Sequence, residues 1–185
     1  MDTKRISLVA IFAALAIILN PDVSRISIPA PFAPFLPYQV WEIPIFVAFT
    51  LLGPKPGLFI ALIGSIALLA FHPGVIAVGG IMACLAMLGG FYLAYKLVTR
   101  NVPREKMPST RKTVIATTAG AVIFRTVVMA VQNYYMLPLM GVTYPLAVII
   151  PLVALFNATE PLYVVPISYF IAKTINKHLK IGNKI

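Results

Sequence analysis

Reactive side chains are scarce in this sequence. Its 185 residues include one cysteine, Cys84, and two histidines, His72 and His178. A lone cysteine excludes an internal disulfide and says nothing of the redox compartment. No CxxC, HExxH, GxSxG or glycine-rich phosphate loop occurs, so the common metal, hydrolase and nucleotide signatures are missing. The expected protein is therefore not an enzyme and carries no cofactor and no metal. Any ATP-driven work must belong to a partner. Acidic residues are also few, five Asp and Glu against fifteen Lys and Arg, for a formal net charge of +10.

What is abundant is hydrocarbon. Sixty per cent of the residues are hydrophobic and the mean hydropathy is +0.93, whereas soluble domains are about 45–50% apolar. The apolar runs are long and continuous rather than alternating, which favours membrane helices over a β-barrel. The expected fold class is an all-α integral membrane protein, one domain over residues 1–185. Six spans are read, at about 6–19, 39–52, 57–71, 75–97, 113–138 and 144–174. An even number of spans puts both termini on one side. With that side inside, Lys4, Arg5, Lys55, the segment 96–112 and the tail 173–184 place their basic residues in the cytoplasm. Arg25 alone lies outside. This bias predicts a multi-pass cell-membrane protein with cytoplasmic termini. The net charge is thus a topology signal, with anionic lipid rather than nucleic acid as its partner. The same bias favours a retained first helix over a cleaved leader. On this topology His72 and His178 lie on opposite faces and share no site.

Two connections differ. Residues 98–112 are polar and basic and read as a cytoplasmic linker. Residues 24–38, SRISIPAPFAPFLPY, hold four prolines and several large apolar groups. Such a loop is stiff. It is either a lid folded over the helix ends or an interfacial loop.

Polar groups inside hydrocarbon are costly, about 2.5–3.5 kcal/mol for a charge at the centre on insertion scales. Arg125 sits in the fifth span, with Met129, Gln132 and Asn133 following on its face. Glu160 lies in the sixth span at similar depth, with Asn157 one turn away. Arg125 and Glu160 are expected to pair, and Asn133 and Asn157 to line a cavity. Glu42 begins the second span beside Tyr38 and Trp41. It reads either as an exposed headgroup-level carboxylate or, with Gln39, as part of a site under the lid. Ala10 and Ala14, with Ala13 adjacent, form a small-residue stripe that lets another helix approach.

The stretches FLPYQVWEIPIFVAFTLLGPKPG (35–57), FRTVVMAVQNYYMLPLMG (124–141) and FNATEP (156–161) resemble an S component, the substrate-binding membrane subunit of energy-coupling-factor (ECF) vitamin transporters. The riboflavin-specific members are the nearest in pattern. The resemblance implies an outward pocket for riboflavin or another vitamin, closed by the loop between the first two spans. It implies that Ala10 and Ala14 meet a transmembrane coupling subunit driven by two ATPase subunits. In the riboflavin members the matching asparagines bond the ligand, which points to Asn133 and Asn157. Glu160 stands where that pattern has a lysine, and Gly64 and Ser65 replace a Lys-Asn pair. Phe32, Phe35, Tyr38, Trp41, Tyr134 and Tyr135 are candidates to stack on a planar ligand. Two other readings remain at this point. One is a membrane scaffold docking through its small-residue faces. The other is a small proton-coupled carrier using Arg125 and Glu160.

Overall fold

A computed structural model describes residues 3–71, 74–100, 111–141 and 145–179. His72, residues 101–110 of the basic linker, Tyr144, Lys180 and Lys184 lie outside the described residues. Seven helices and one hairpin follow in order: α1 (Thr3–Ile18), α2 (Pro21–Ser24), β1 (Ile28–Ala30), β2 (Ala33–Tyr38), α3 (Glu42–Leu52), α4 (Pro54–Phe71), α5 (Val75–Thr99), α6 (Arg111–Leu139) and α7 (Leu146–Leu179).

The centre of the bundle is α3. Ten of its eleven residues are buried, as expected of a helix that is apolar all round. It packs against α1, α4 and α7. Phe46 and Phe49 meet the Phe91 ring of α5 edge to face, at 5.4 Å in each case. Arg5 of α1 donates to the Leu52 carbonyl at 2.9 Å, capping the end of α3 where helical carbonyls lack partners. A single residue, Gly53, at φ 101°, turns α3 into α4. The GPKPG run therefore does not end a helix at a distance. Pro54 opens α4 in the first turn, where its missing N–H costs nothing. After α1 ends, Asn20-Pro21 starts α2: the Asn20 side chain accepts from Asp22 N at 3.0 Å.

Contact between α5 and α6 is close because both present glycine. A β-carbon on Gly90 would sit 2.3 Å from the Gly120 carbonyl oxygen. The two backbones touch, and α6 then packs on α7. Outer faces carry exposed Ile11, Phe59, Ile66 and Leu97, the side chains expected against lipid.

Among the described residues four helices, α4 to α7, are long and apolar enough to cross a membrane. At sixteen and eleven residues, α1 and α3 are shorter. The fold is helical, and the connection at 24–38, read as a loop, contains a short hairpin over residues 28–38. There β1 and β2 pair antiparallel, Ile28 opposite Tyr38 and Pro29 opposite Pro37, with an irregularity before Ala30. Ala30 and Ala33 are buried. The proline-rich segment is an ordered hairpin.

Candidate functional site

Beneath that hairpin lies a cavity of about 650 Å³, within the usual range for small-molecule sites. Its walls come from the end of the hairpin and α3, and from α5, α6 and α7. Most of the lining is apolar, including Trp41, Val75, Ile76, Met129, Met136 and Val153. The polar side chains are Gln39, Glu42, Arg125, Gln132, Asn133, Asn157 and Glu160.

Four of these form one buried cluster. Arg125 Nη1 donates to Glu42 Oε1 at 3.0 Å and Oε2 at 2.8 Å. Arg125 Nη2 donates to Glu160 Oε2. Arg125 Nε donates to Asn157 Oδ1 at 3.0 Å. The Met87 sulfur lies 3.6 Å from Nη1. Each of the three charged residues is at most 4% exposed. Charges at this depth persist only when paired and fully hydrogen-bonded. Tyr163 extends the network, donating to Glu160 Oε1 at 3.3 Å and to the Gln39 carbonyl at 2.6 Å.

The expected Arg125–Glu160 contact is present, but it is not a simple pair. The reading of Glu42 as an exposed headgroup-level carboxylate is overturned, because Glu42 is 1% exposed and chelates the guanidinium. Asn157 lines the wall, yet both its polar atoms are committed: Oδ1 to Arg125 and Nδ2 to the Val153 carbonyl at 2.9 Å. It holds Arg125, and the second Nδ2 hydrogen has no partner among the described residues. Asn133 and Gln132 lie further along α6. Asn133 Nδ2 donates to the Met129 carbonyl at 2.8 Å, which turns its own carbonyl oxygen to other uses. Gln132 Oε1 is buried and accepts no hydrogen bond among the described residues. In an apolar wall, such an oxygen awaits a donor.

The aromatic candidates separate. Phe35 and Trp41 line the cavity. Phe35 is exposed at the hairpin, while Trp41 is buried and donates Nε1 to Gln39 Oε1 at 2.9 Å. Tyr38 does not line it. Its ring stacks on Phe156 at 5.0 Å, and its hydroxyl meets Thr159 Oγ1 at 2.7 Å. Tyr38 thus fastens β2 to α7. Tyr134 and Tyr135 are exposed, packed edge to face on each other, and stand away from the lining together with Phe32. Gly64 faces the Trp41 ring closely: a β-carbon there would lie 3.0 Å from Cζ3, a tight contact that the ring would have to ease. The Ser65 hydroxyl donates to the Ala61 carbonyl within its own helix.

On α1, Ala10 and Ala14 are exposed on one face. Ala13 is corrected: it is 8% exposed and belongs to the core with Leu8, Phe12 and Ala16. Thr159, Tyr163 and Met87 were missed from sequence. Thr159 and Tyr163 flank Glu160 on α7, so the spacing of Glu160 and Tyr163 by three was a usable signal. Nothing local marks Met87.

The family model for the ECF transporter substrate-specific component matches residues 4–178. A solved S component of a bacterial ECF transporter shares the fold, with a TM-score of 0.75 over 97% of this chain and 99% of that chain at 23% identity. No curated protein matches the sequence.

Proposed function

The chain belongs to the family of ECF transporter substrate-specific components, and from that premise we propose that it binds riboflavin, or a related flavin or vitamin precursor, in the cavity under the hairpin. Members of this family are the substrate-binding subunits of transporters and work with a module of membrane coupling and ATPase subunits. The observation that carries the proposal is the cavity itself. A slot of about 650 Å³ with apolar walls and two amides on one wall suits a flat heteroaromatic ligand, whose faces need hydrocarbon and whose edges need hydrogen bonds. Gln132 Oε1 and the Asn133 carbonyl are acceptors placed for such an edge. Trp41 and Phe35 supply flat apolar surface. Tyr38 and Thr159 hold the hairpin as a closed lid.

On this reading α1 and α3 to α7 make six crossings, with both termini in the cytoplasm and the cavity opening outward. Ala10 and Ala14 form the face that meets the coupling subunit, and two ATPases supply the energy.

The test is a titration of the purified protein with riboflavin, following quenching of flavin fluorescence. One-to-one binding is expected, with a large loss in Asn133→Ala. Saturation that is unchanged in Asn133→Ala would move the ligand out of this cavity. Absence of binding would retire riboflavin as the ligand.

A further inference from the structure

The charged groups inside the cavity are unequal in number. Among the described residues Arg125 is the only cationic side chain in the lining, and it faces two carboxyl groups, Glu42 and Glu160. One guanidinium thus stands against two carboxyl groups, and the cluster offers no surplus positive charge. Most of the Arg125 guanidinium is engaged inside the cluster. Its Nε is held by Asn157, Nη1 by both oxygens of Glu42, and Nη2 by Glu160. Among the described residues the lining contains no lysine or histidine. Among the acceptors, Gln132 Oε1 has no partner among the described residues.

We propose that Glu42 and Glu160 are charge-selectivity residues, so that the cavity admits uncharged or cationic ligands and rejects ligands bearing a phosphate or carboxylate. This rests on reading the cavity as the substrate site and narrows the substrate class within it. An anionic group entering here meets two carboxyl groups, and the one cation among the described lining residues is already engaged with them. A ligand edge with N–H donors, or a cationic nitrogen, finds both acceptors and attraction. The magnitude follows from distance. Met129 lies one turn along α6 from Arg125, about 6 Å. At that separation and an effective dielectric of about 20, one unbalanced charge changes the affinity of a unit charge about a hundredfold.

Charge at this site is measurable without knowing the natural ligand. Met129 lines the cavity, and Met129→Cys places a thiol there. The only native thiol, Cys84, is fully buried, and the unsubstituted protein serves as its control. The thiol is modified with two methanethiosulfonates of similar size, one carrying a trimethylammonium group and one a sulfonate. Rates are divided by those of a free thiol in solution. The cationic reagent should win by about a hundredfold or more. Adding Glu42→Gln leaves one carboxylate against one guanidinium, and the preference should collapse toward the free-thiol ratio. Val153→Cys repeats the measurement from the facing wall should Met129→Cys fold poorly. A ratio equal to that of the free thiol, or one unmoved by Glu42→Gln, overturns the proposal. Riboflavin and riboflavin 5′-phosphate are then titrated in parallel. Equal affinity for the two overturns the charge selectivity while keeping the flavin site. A strong cationic preference with no riboflavin binding upholds the selectivity and retires riboflavin.

Discussion

Replacing Arg125 with glutamine should damage this protein more than any other single change in the cavity. The guanidinium holds both Glu42 and Glu160, so Arg125→Gln leaves two carboxylates buried without a cation. Removing one partner from a buried ion pair costs about 3–5 kcal/mol. For a chain of this length each kcal/mol moves the melting temperature about 2–4 °C, so a fall of about 6–20 °C is expected. Glu160→Gln is different. It leaves Arg125 chelated by Glu42 and replaces an ionic contact with a neutral hydrogen bond. Its cost should be about 1 kcal/mol, near 2–4 °C. A two-membered pair predicts the opposite, since losing Glu160 would strand the arginine. The double variant Glu42→Gln with Glu160→Gln does strand it and should fall as far as Arg125→Gln. Adding Arg125→Gln to that double variant should recover at least half of the loss, because only amides remain. The assay is thermal unfolding in detergent, read by intrinsic fluorescence with the ligand absent. A drop in Glu160→Gln equal to that in Arg125→Gln would refute the three-membered cluster. So would a triple variant no more stable than Arg125→Gln alone.

Other expectations rest on single contacts. Tyr38→Phe removes the 2.7 Å contact with Thr159, worth about 1 kcal/mol; ligand release in a stopped-flow experiment should quicken about fivefold with the melting temperature little changed. Gly90→Ala drives a methyl group into the Gly120 carbonyl; overpacking of this kind costs about 1–3 kcal/mol, and thermal unfolding will show whether α5 and α6 separate. Ala10→Leu or Ala14→Leu should abolish co-purification with the coupling subunit and leave ligand affinity intact, whereas Ala13→Leu should destabilise the isolated chain because Ala13 is in the core.

How much of this was legible in the sequence depends on where each signal lives. Arg125 and Glu160 could be matched by counting along two antiparallel helices, since both are charges in otherwise apolar runs. Glu42 could not. A carboxylate at a helix start beside Tyr38 and Trp41 reads as a headgroup residue. Tertiary packing draws it inward: Ser168 of α7 donates to the Ile43 carbonyl at 3.2 Å, and Tyr163 donates to that of Gln39. The helical periods of α5, α6 and α7 were readable from composition. The hairpin was not, because proline removes ladder donors and argues against strands. Here Pro29 stands opposite Pro37, and the pairing survives on the residues between them and on the burial of Ala30 and Ala33. Ala13 shows the remaining limit. A small residue between two others looks like part of their stripe, but Ala13 is turned about 60° from Ala10 and about 100° from Ala14, enough to carry it into the core.

One turn of α7 does two jobs. Thr159 fastens the hairpin through Tyr38, and Glu160, its neighbour, holds the guanidinium, while Tyr163 touches both Glu160 and the chain below the hairpin. For anyone redesigning the cavity toward a new cargo, that turn is the wrong place to begin. A change there alters lid and floor together, and no screen would say which one failed. Met129, Met136, Ile149 and Val153 line the same space and hold neither the latch nor the charges. A library confined to those four positions can vary shape while the machinery around it stays fixed.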